Sequence, residues 1–201
     1  MPETPIAASS IAAQAFRFME MGPISSFQDD SEQAQDALQQ YPVALRSCLE
    51  ACDWSFASTY RQLSEAALEA PQIVDPALPF AFLVPADCVR LREVQPVTVR
   101  WRIDGLTLRA DVAGPLTVRY TARIENEAQL PATFQTAVSY RLATLLAPRW
   151  MATRTKIADL ATAGQQTLQD AERIDARSAS SARYDGRDAR WSDDWVAGAT
   201  W

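Results

Sequence analysis

The 201-residue chain is 48% hydrophobic and 22% charged, carries a net charge of −6 with a sequence pI near 4.7, and contains no histidine. That balance suits one globular domain with a core of its own, and the acidic total argues against a protein that grips nucleic acid through general electrostatics. Without histidine there is no Ser-His or Cys-His nucleophile pair and no commonest general base or metal ligand, so no enzyme activity, cofactor or metal site is expected.

In chain order, residues 5–20 read as a helix, with Thr4 as N-cap, Pro5 in its first turn and Gly22-Pro23 as its stop. Asp29, Asp30 and Ser31 offer caps to a second helix over 31–52, where Ala34, Leu38, Tyr41, Leu45, Cys48 and Cys52 recur at three and four. Pro42 falls inside that stripe and predicts a kink or a short break. From Trp54 the texture changes, as Trp54, Phe56, Ser58 and Tyr60 alternate with small or polar residues in the manner of a strand. Residues 64–79, with Pro71, Pro76 and Pro79, read as a long loop. Strands near Phe80–Val84 and Cys88–Val94 follow, around the turn Pro85-Ala86-Asp87.

Residues 97–124 hold the clearest alternation. Val97, Val99, Trp101 and Ile103 interleave with Thr98, Arg100, Arg102 and Asp104, and Asp104-Gly105 marks a hairpin turn. Leu106, Leu108 and Ala110 continue the pattern, and after Gly114-Pro115 so do Leu116, Val118, Tyr120, Ala122 and Ile124. The expectation is a three-stranded antiparallel meander with one apolar face. From Pro131 a helical period returns over 131–147 through Phe134, Val138, Leu142, Leu145 and Leu146, bent or ended by Pro148. A last helix spans 153–175 through Ile157, Leu160, Ala161, Gly164, Leu168 and Ala171, and residues 176–201 lose core periodicity and read as an extended tail. The fold class is therefore α+β: a helical bundle with an antiparallel β-sheet inserted over 54–124, forming a domain of residues 1–175 that carries a C-terminal tail.

Several side chains invite a chemical reading beside a plain one. Cys48, Cys52 and Cys88 cannot all pair and read as small buried hydrophobes of a reducing compartment. Trp54, Phe56 and Tyr60 could stack on nucleic acid, but core packing between the second helix and the first strand is the better account in acidic surroundings. Glu125 and Glu127 near Asp111 imitate a carboxylate site and read as loop solvation. Residues 1–96 hold 13 acidic and 5 basic side chains, whereas residues 97–124 hold 5 arginines and 2 aspartates. Arg100, Arg102, Arg109, Arg119 and Arg123 are thus either the wetted side of a half-buried sheet or a contact surface for a neighbouring subunit or tail component. No run of about 18 apolar residues marks a membrane span, and MPETPIAASS has no basic stretch leading into an apolar one; a cytoplasmic product is expected.

The succession SEQAQDALQQYPVALRSCLEACDWSFAS, PFAFLVPADCVRLREV, a strand region, LPATFQTAVSYRLATLLAP and a final helix resembles the head-to-tail connector (adaptor) proteins of tailed bacteriophages. The group includes tail tubular protein A and the adaptors of the gene transfer agents of Rhodobacter-type bacteria, to which the likeness is greatest. It spans roughly residues 8–175. Its most specific pieces are Cys52-Asp53-Trp54-Ser55-Phe56-Ala57 and Leu83-Val84-Pro85-Ala86-Asp87-Cys88, neither a catalytic motif.

The resemblance implies a ring, usually twelvefold, docked beneath the portal protein, with helices around the DNA channel, the β region toward the outside or the tail, and a C-terminal segment reaching up to the portal. Partners would be the portal, the next tail component, further copies of the chain, and double-stranded DNA that passes without specific binding. An acidic wall suits that passage, because each retained phosphate contact would slow it. In the tail, Trp191 and Trp195 lie four apart after Arg187 and Arg190, with Tyr184 and Trp201 on either side; these are the anchors of a segment that orders on the portal, or of one that folds back on its own domain. Two other functions stay open, a tail completion or terminator protein, and a small-ligand-binding or enzymatic domain built on the β insert.

Overall fold

The computed structural model describes residues 9–66 and 75–179. Among these residues four helices form one core and six strands another. Helix α1 runs Ser10–Phe18, later than its expected start, and residues 5–8, with the cap expected at Thr4, lie outside the described residues. Ser9 caps it, its hydroxyl accepting from Ala12 N at 3.0 Å. The helix stops before Gly22: Glu20 takes a left-handed φ of 61°, Glu20 N donates to Arg17 O and Met21 N to Phe16 O, which satisfies the last carbonyls in a Schellman-type ending.

Helix α2, Glu32–Ala51, begins at Ser31 as expected and runs unbroken through Pro42. Pro42 sits on the exposed face, like Leu38 one turn earlier, so the carbonyl it leaves without a donor faces water. The same reasoning corrects the end expected for the third helix. Helix α3, Ala132–Trp150, passes through an exposed Pro148 because the residues beyond it are anchored: Arg149 Nη1 reaches Asp36 at 2.5 Å and Trp150 Nε1 donates to Asp36 at 3.0 Å. Helix α4, Arg154–Ala179, takes in residues 176–179, which were expected to begin the tail. Helix α3 is central, packing on α1, α2 and α4. Close approach to α4 depends on Gly164, where a Cβ would lie 3.3 Å from Tyr140 Cβ.

Between α2 and α3 the chain builds β1 (Ser58–Leu63), β2 (Phe80–Leu83), β3 (Cys88–Gln95), β4 (Trp101–Asp104), β5 (Thr107–Ala110) and β6 (Leu116–Ala122). The strand expected from Trp54 starts four residues later, since Ser55–Ala57 make a 3-10 turn that turns Trp54 into the helical core. The single meander is replaced by two antiparallel sheets, β1-β6-β3 and β2-β5-β4. The hairpin β4–β5 does form, around Gly105-Leu106 with Gly105 at φ 63°. The chain then leaves that sheet at Gly114-Pro115. Pro115 has no N–H to extend the ladder, and only a glycine fits at 114, where a Cβ would lie 2.9 Å from Phe82.

The two sheets share a core of Leu63, Phe82, Leu91, Val94, Leu108, Leu116, Val118 and Tyr120. Val97 and Leu106, expected on the apolar face, stand in water, as does Tyr60 on the outer side of β1. The peptide bonds before Pro96 and Pro115 are cis, at two of the four crossings between the sheets.

Candidate functional site

The residues that join helices to sheets are densely hydrogen-bonded. The last turn of an α-helix leaves carbonyls without donors, and α2 ends with neither a glycine nor a basic residue of its own. Three side chains supply the donors. Trp54 Nε1 donates to Cys48 O at 2.8 Å, Arg90 Nη1 to Glu50 O at 2.9 Å, and Arg92 Nη2 to Leu49 O at 3.4 Å and also to Cys52 O. Two cations at a helix C-terminus also oppose its negative end. Arg92 Nε donates to Thr121 Oγ1 at 2.8 Å, which ties the helix end to β6. Burial lowers the Arg92 pKa, and the neighbouring Asp53 opposes that shift.

Segment 52–57 is engaged at every position. Asp53 pairs with Arg119 at 2.8 Å; Ser55 donates through N and Oγ to the Asp175 carboxylate of α4, both at 2.7 Å; Phe56 and Trp54 meet Phe134 edge-on with centroids 5.0 and 4.9 Å apart. Trp54 and Phe56 are therefore core packing, as expected, whereas Tyr60 is not, being 60% exposed. Segment 83–88 forms the other joint. Val84 N donates to Leu106 O, Arg123 N to Asp87 O, and Tyr120 Oη to the Asp87 carboxylate at 3.1 Å. Burial, then that hydrogen bond, pushes the Tyr120 phenol up to about 12.

The five arginines singled out in the sequence do not share a surface. Arg119 belongs to the joint, and Arg123 follows β6 and pairs with Glu125 at 2.9 Å. Arg100, Arg102 and Arg109 lie on the other sheet: Arg100 pairs with Asp111 at 2.9 Å, Arg102 with Asp104 at 2.8 Å and Asp75 at 3.1 Å, and Arg109 with Asp104 at 3.6 Å. Each guanidinium thus meets a carboxylate of its own chain. The tail residues Tyr184, Arg187, Arg190, Trp191, Trp195 and Trp201 lie outside the described residues.

Glu127 is not loop solvation. Its carboxylate accepts from Tyr41 Oη at 2.7 Å, from Ser10 N at 3.2 Å, from Ser10 Oγ at 3.1 Å and from Ser9 Oγ, clamping the start of α1 to α2. An anion there also suits the helix N-terminus, and burial with this bond raises the Tyr41 pKa. Of the cysteines only Cys48 is buried, and burial pushes its thiol up to about 12; Cys52 and Cys88 are half-buried, each raised to about 11, mainly by burial.

Two clefts open between helices. One of about 290 Å³ is lined by Cys48, Arg141, Thr144, Gly164 and Leu168, and one of about 360 Å³ by Phe18, Tyr140 and Lys156. Among the described residues no cluster of histidine, cysteine or carboxylate side chains is grouped to hold a metal, and no helix is long and apolar enough to cross a membrane. What the sequence reading missed is the joint itself; its available signal was a helix end with no cap of its own, followed by two arginines one residue apart on a strand. No protein-family model matches the chain, and no curated protein matches it.

Proposed function

We propose that this chain is a non-enzymatic head-to-tail adaptor of a phage-like particle, a subunit of a ring beneath the portal that continues the DNA channel and presents a platform to the next tail component. One observation carries the reading. The two most specific segments of the resemblance, 52–57 and 83–88, are joints of the fold, where the helical core meets the sheets and where one sheet meets the other. A protein whose work is shape has its strictest requirements at the joints that set the angle between its modules, and its freest positions on the surfaces that vary with the partner.

The net charge of −6 suits a wall past which DNA slides. The chain is made in the cytoplasm and ends at the portal vertex, with the portal, the next tail protein and further copies of itself as neighbours. A reconstruction of portal-bearing particles from cells producing this chain tests the reading: a ring of it beneath the portal is the expected result, and its absence from the vertex overturns it. The tail's share is tested by deleting residues 180–201, which lie beyond α4. The truncated chain should fold and no longer join particles, and undiminished joining would remove the tail from the attachment.

A further inference from the structure

The sheet β2-β5-β4 ends in an edge that no other strand of the described residues pairs with. Its opposite edge, at β2, is met by Glu65, which bridges to Phe82, and by Ala66 N, which donates to Ala81 O at 2.8 Å. At β4 the ladder itself determines which groups look outward. Asp111 N donates to Arg100 O at 3.1 Å and Arg102 stands opposite Arg109. In an antiparallel ladder hydrogen-bonded pairs alternate, so Trp101 and Ile103 turn their N–H and C=O groups away from β5.

The same two residues are half-exposed, Trp101 at 39% and Ile103 at 41%. Ile103 lies opposite Leu108, which lies opposite Phe82, and Trp101 lies opposite Ala110. The apolar face of the sheet therefore runs out to its edge and stops in water. β4 carries neither proline nor lysine, and its two charges, Arg102 and Asp104, are of opposite sign and so complement a second copy.

We propose that β4 pairs with β4 of a second copy of this chain, antiparallel, about a two-fold axis through Ile103. Charge selects both the occupant and the register. Centred on Ile103, Arg102 of each copy faces Asp104 of the other, two cross-strand ion pairs, while Ile103 meets Ile103, Trp101 lies over the Gly105 backbone and the apolar faces join. Centred on Arg102, the same strands would set Arg102 against Arg102. A centre between residues would turn the second copy's apolar face to the opposite side. The contact is self-complementary and closes at two copies, and strands of four residues make it a weak pair, a property of the free chain that does not depend on the adaptor reading.

Sedimentation equilibrium of the full chain tests it. The wild type is expected to show a reversible monomer–dimer equilibrium. Arg102→Asp and Asp104→Arg should each weaken association about tenfold, as two attractive cross-strand pairs become repulsive, and an equimolar mixture of the two variants should restore it. Ile103→Lys should abolish it with the melting temperature little changed, since Ile103 is half-exposed. Restoration by mixing separates a lost contact from a lost fold, because misfolded chains do not recover on meeting each other. A wild type monomeric at millimolar concentration overturns the proposal, as does dimerisation that survives Ile103→Lys. Undiminished self-association of Asp104→Arg overturns the register.

Discussion

The two sheets are alike in strand number and strand direction, yet they use their arginines in different ways. In β1-β6-β3 Arg90 and Arg92 turn toward the end of α2, and Arg92, with its side chain only 11% exposed, satisfies carbonyls that α2 cannot satisfy itself. In β2-β5-β4 Arg102 stays 53% exposed and pairs with Asp104 and Asp75, while Arg109, as shielded as Arg92, meets Asp104 at 3.6 Å. A buried donor that leaves carbonyls unsatisfied when removed is worth far more than an exposed ion pair. The first sheet is thus fastened to the helices by its polar side, whereas the arginines of the second pair with carboxylates of the β region.

The change expected to damage the fastened sheet most is Trp54→Ala. Trp54 is fully buried, packs on Phe134 and caps α2 just before β1 begins. Removing it should cost about 3–5 kcal/mol, read as a lower urea midpoint with the slope unchanged. On the second sheet the comparable change is apolar. Leu108 lies between Phe82 and Ile103 with no exposure, and Leu108→Ala should cost about 2–5 kcal/mol. If Arg102→Ala cost as much as Leu108→Ala, the contrast between the sheets would fail.

Next comes Arg92→Ala, which leaves the carbonyls of Leu49 and Cys52 and the Thr121 hydroxyl without this donor. A loss of about 2–3 kcal/mol is expected. Arg92→Lys should recover only part of it, because one ammonium cannot span the forked set of acceptors. Equal stability of the lysine variant and the wild type would mean that charge at the helix end, and not the fork, does the holding.

These contrasts were only partly legible in the sequence. The stripes of α2 and α3 were readable because a helix packs on neighbours three and four residues away, and β6 was readable because both its neighbours bury the same alternate residues, Leu116, Val118 and Tyr120. Its partners were not. Pairing with β1 and β3 instead of β5 depends on Pro115 and on the space beside Phe82, and no local pattern carries that. The clamp on Glu127 and the bond from Ser55 to Asp175 join residues more than eighty positions apart, so neither is visible as spacing. The arginine alternation was visible, but two positions of the same pattern, Arg109 and Arg119, fell on different sheets.

The smallest effect expected is the response of the second sheet to acid, where the sign can be worked out. Hydrogen bonds from Arg102 and Arg100 hold the Asp104 and Asp111 carboxyls below the usual carboxylate range. A carboxyl whose pKa is depressed by folding binds protons more readily in the unfolded chain, so its contribution is present above the unfolded value of about 3.9 and is lost as the pH falls through the lower folded one. Asp104 is exposed and Asp111 partly so, each beside an exposed guanidinium, so both pairs are screened. The double variant Arg100→Ala, Arg102→Ala should therefore melt close to the wild type at pH 7, and the two curves should converge only once the pH has fallen through the depressed folded values, when neither protein has a carboxylate to pair. Added salt at pH 7 should close the same small gap. Convergence in acid without convergence in salt would mean that these pairs are shielded from solvent as the Arg92 contacts are, and that the two sheets differ less than their exposure implies.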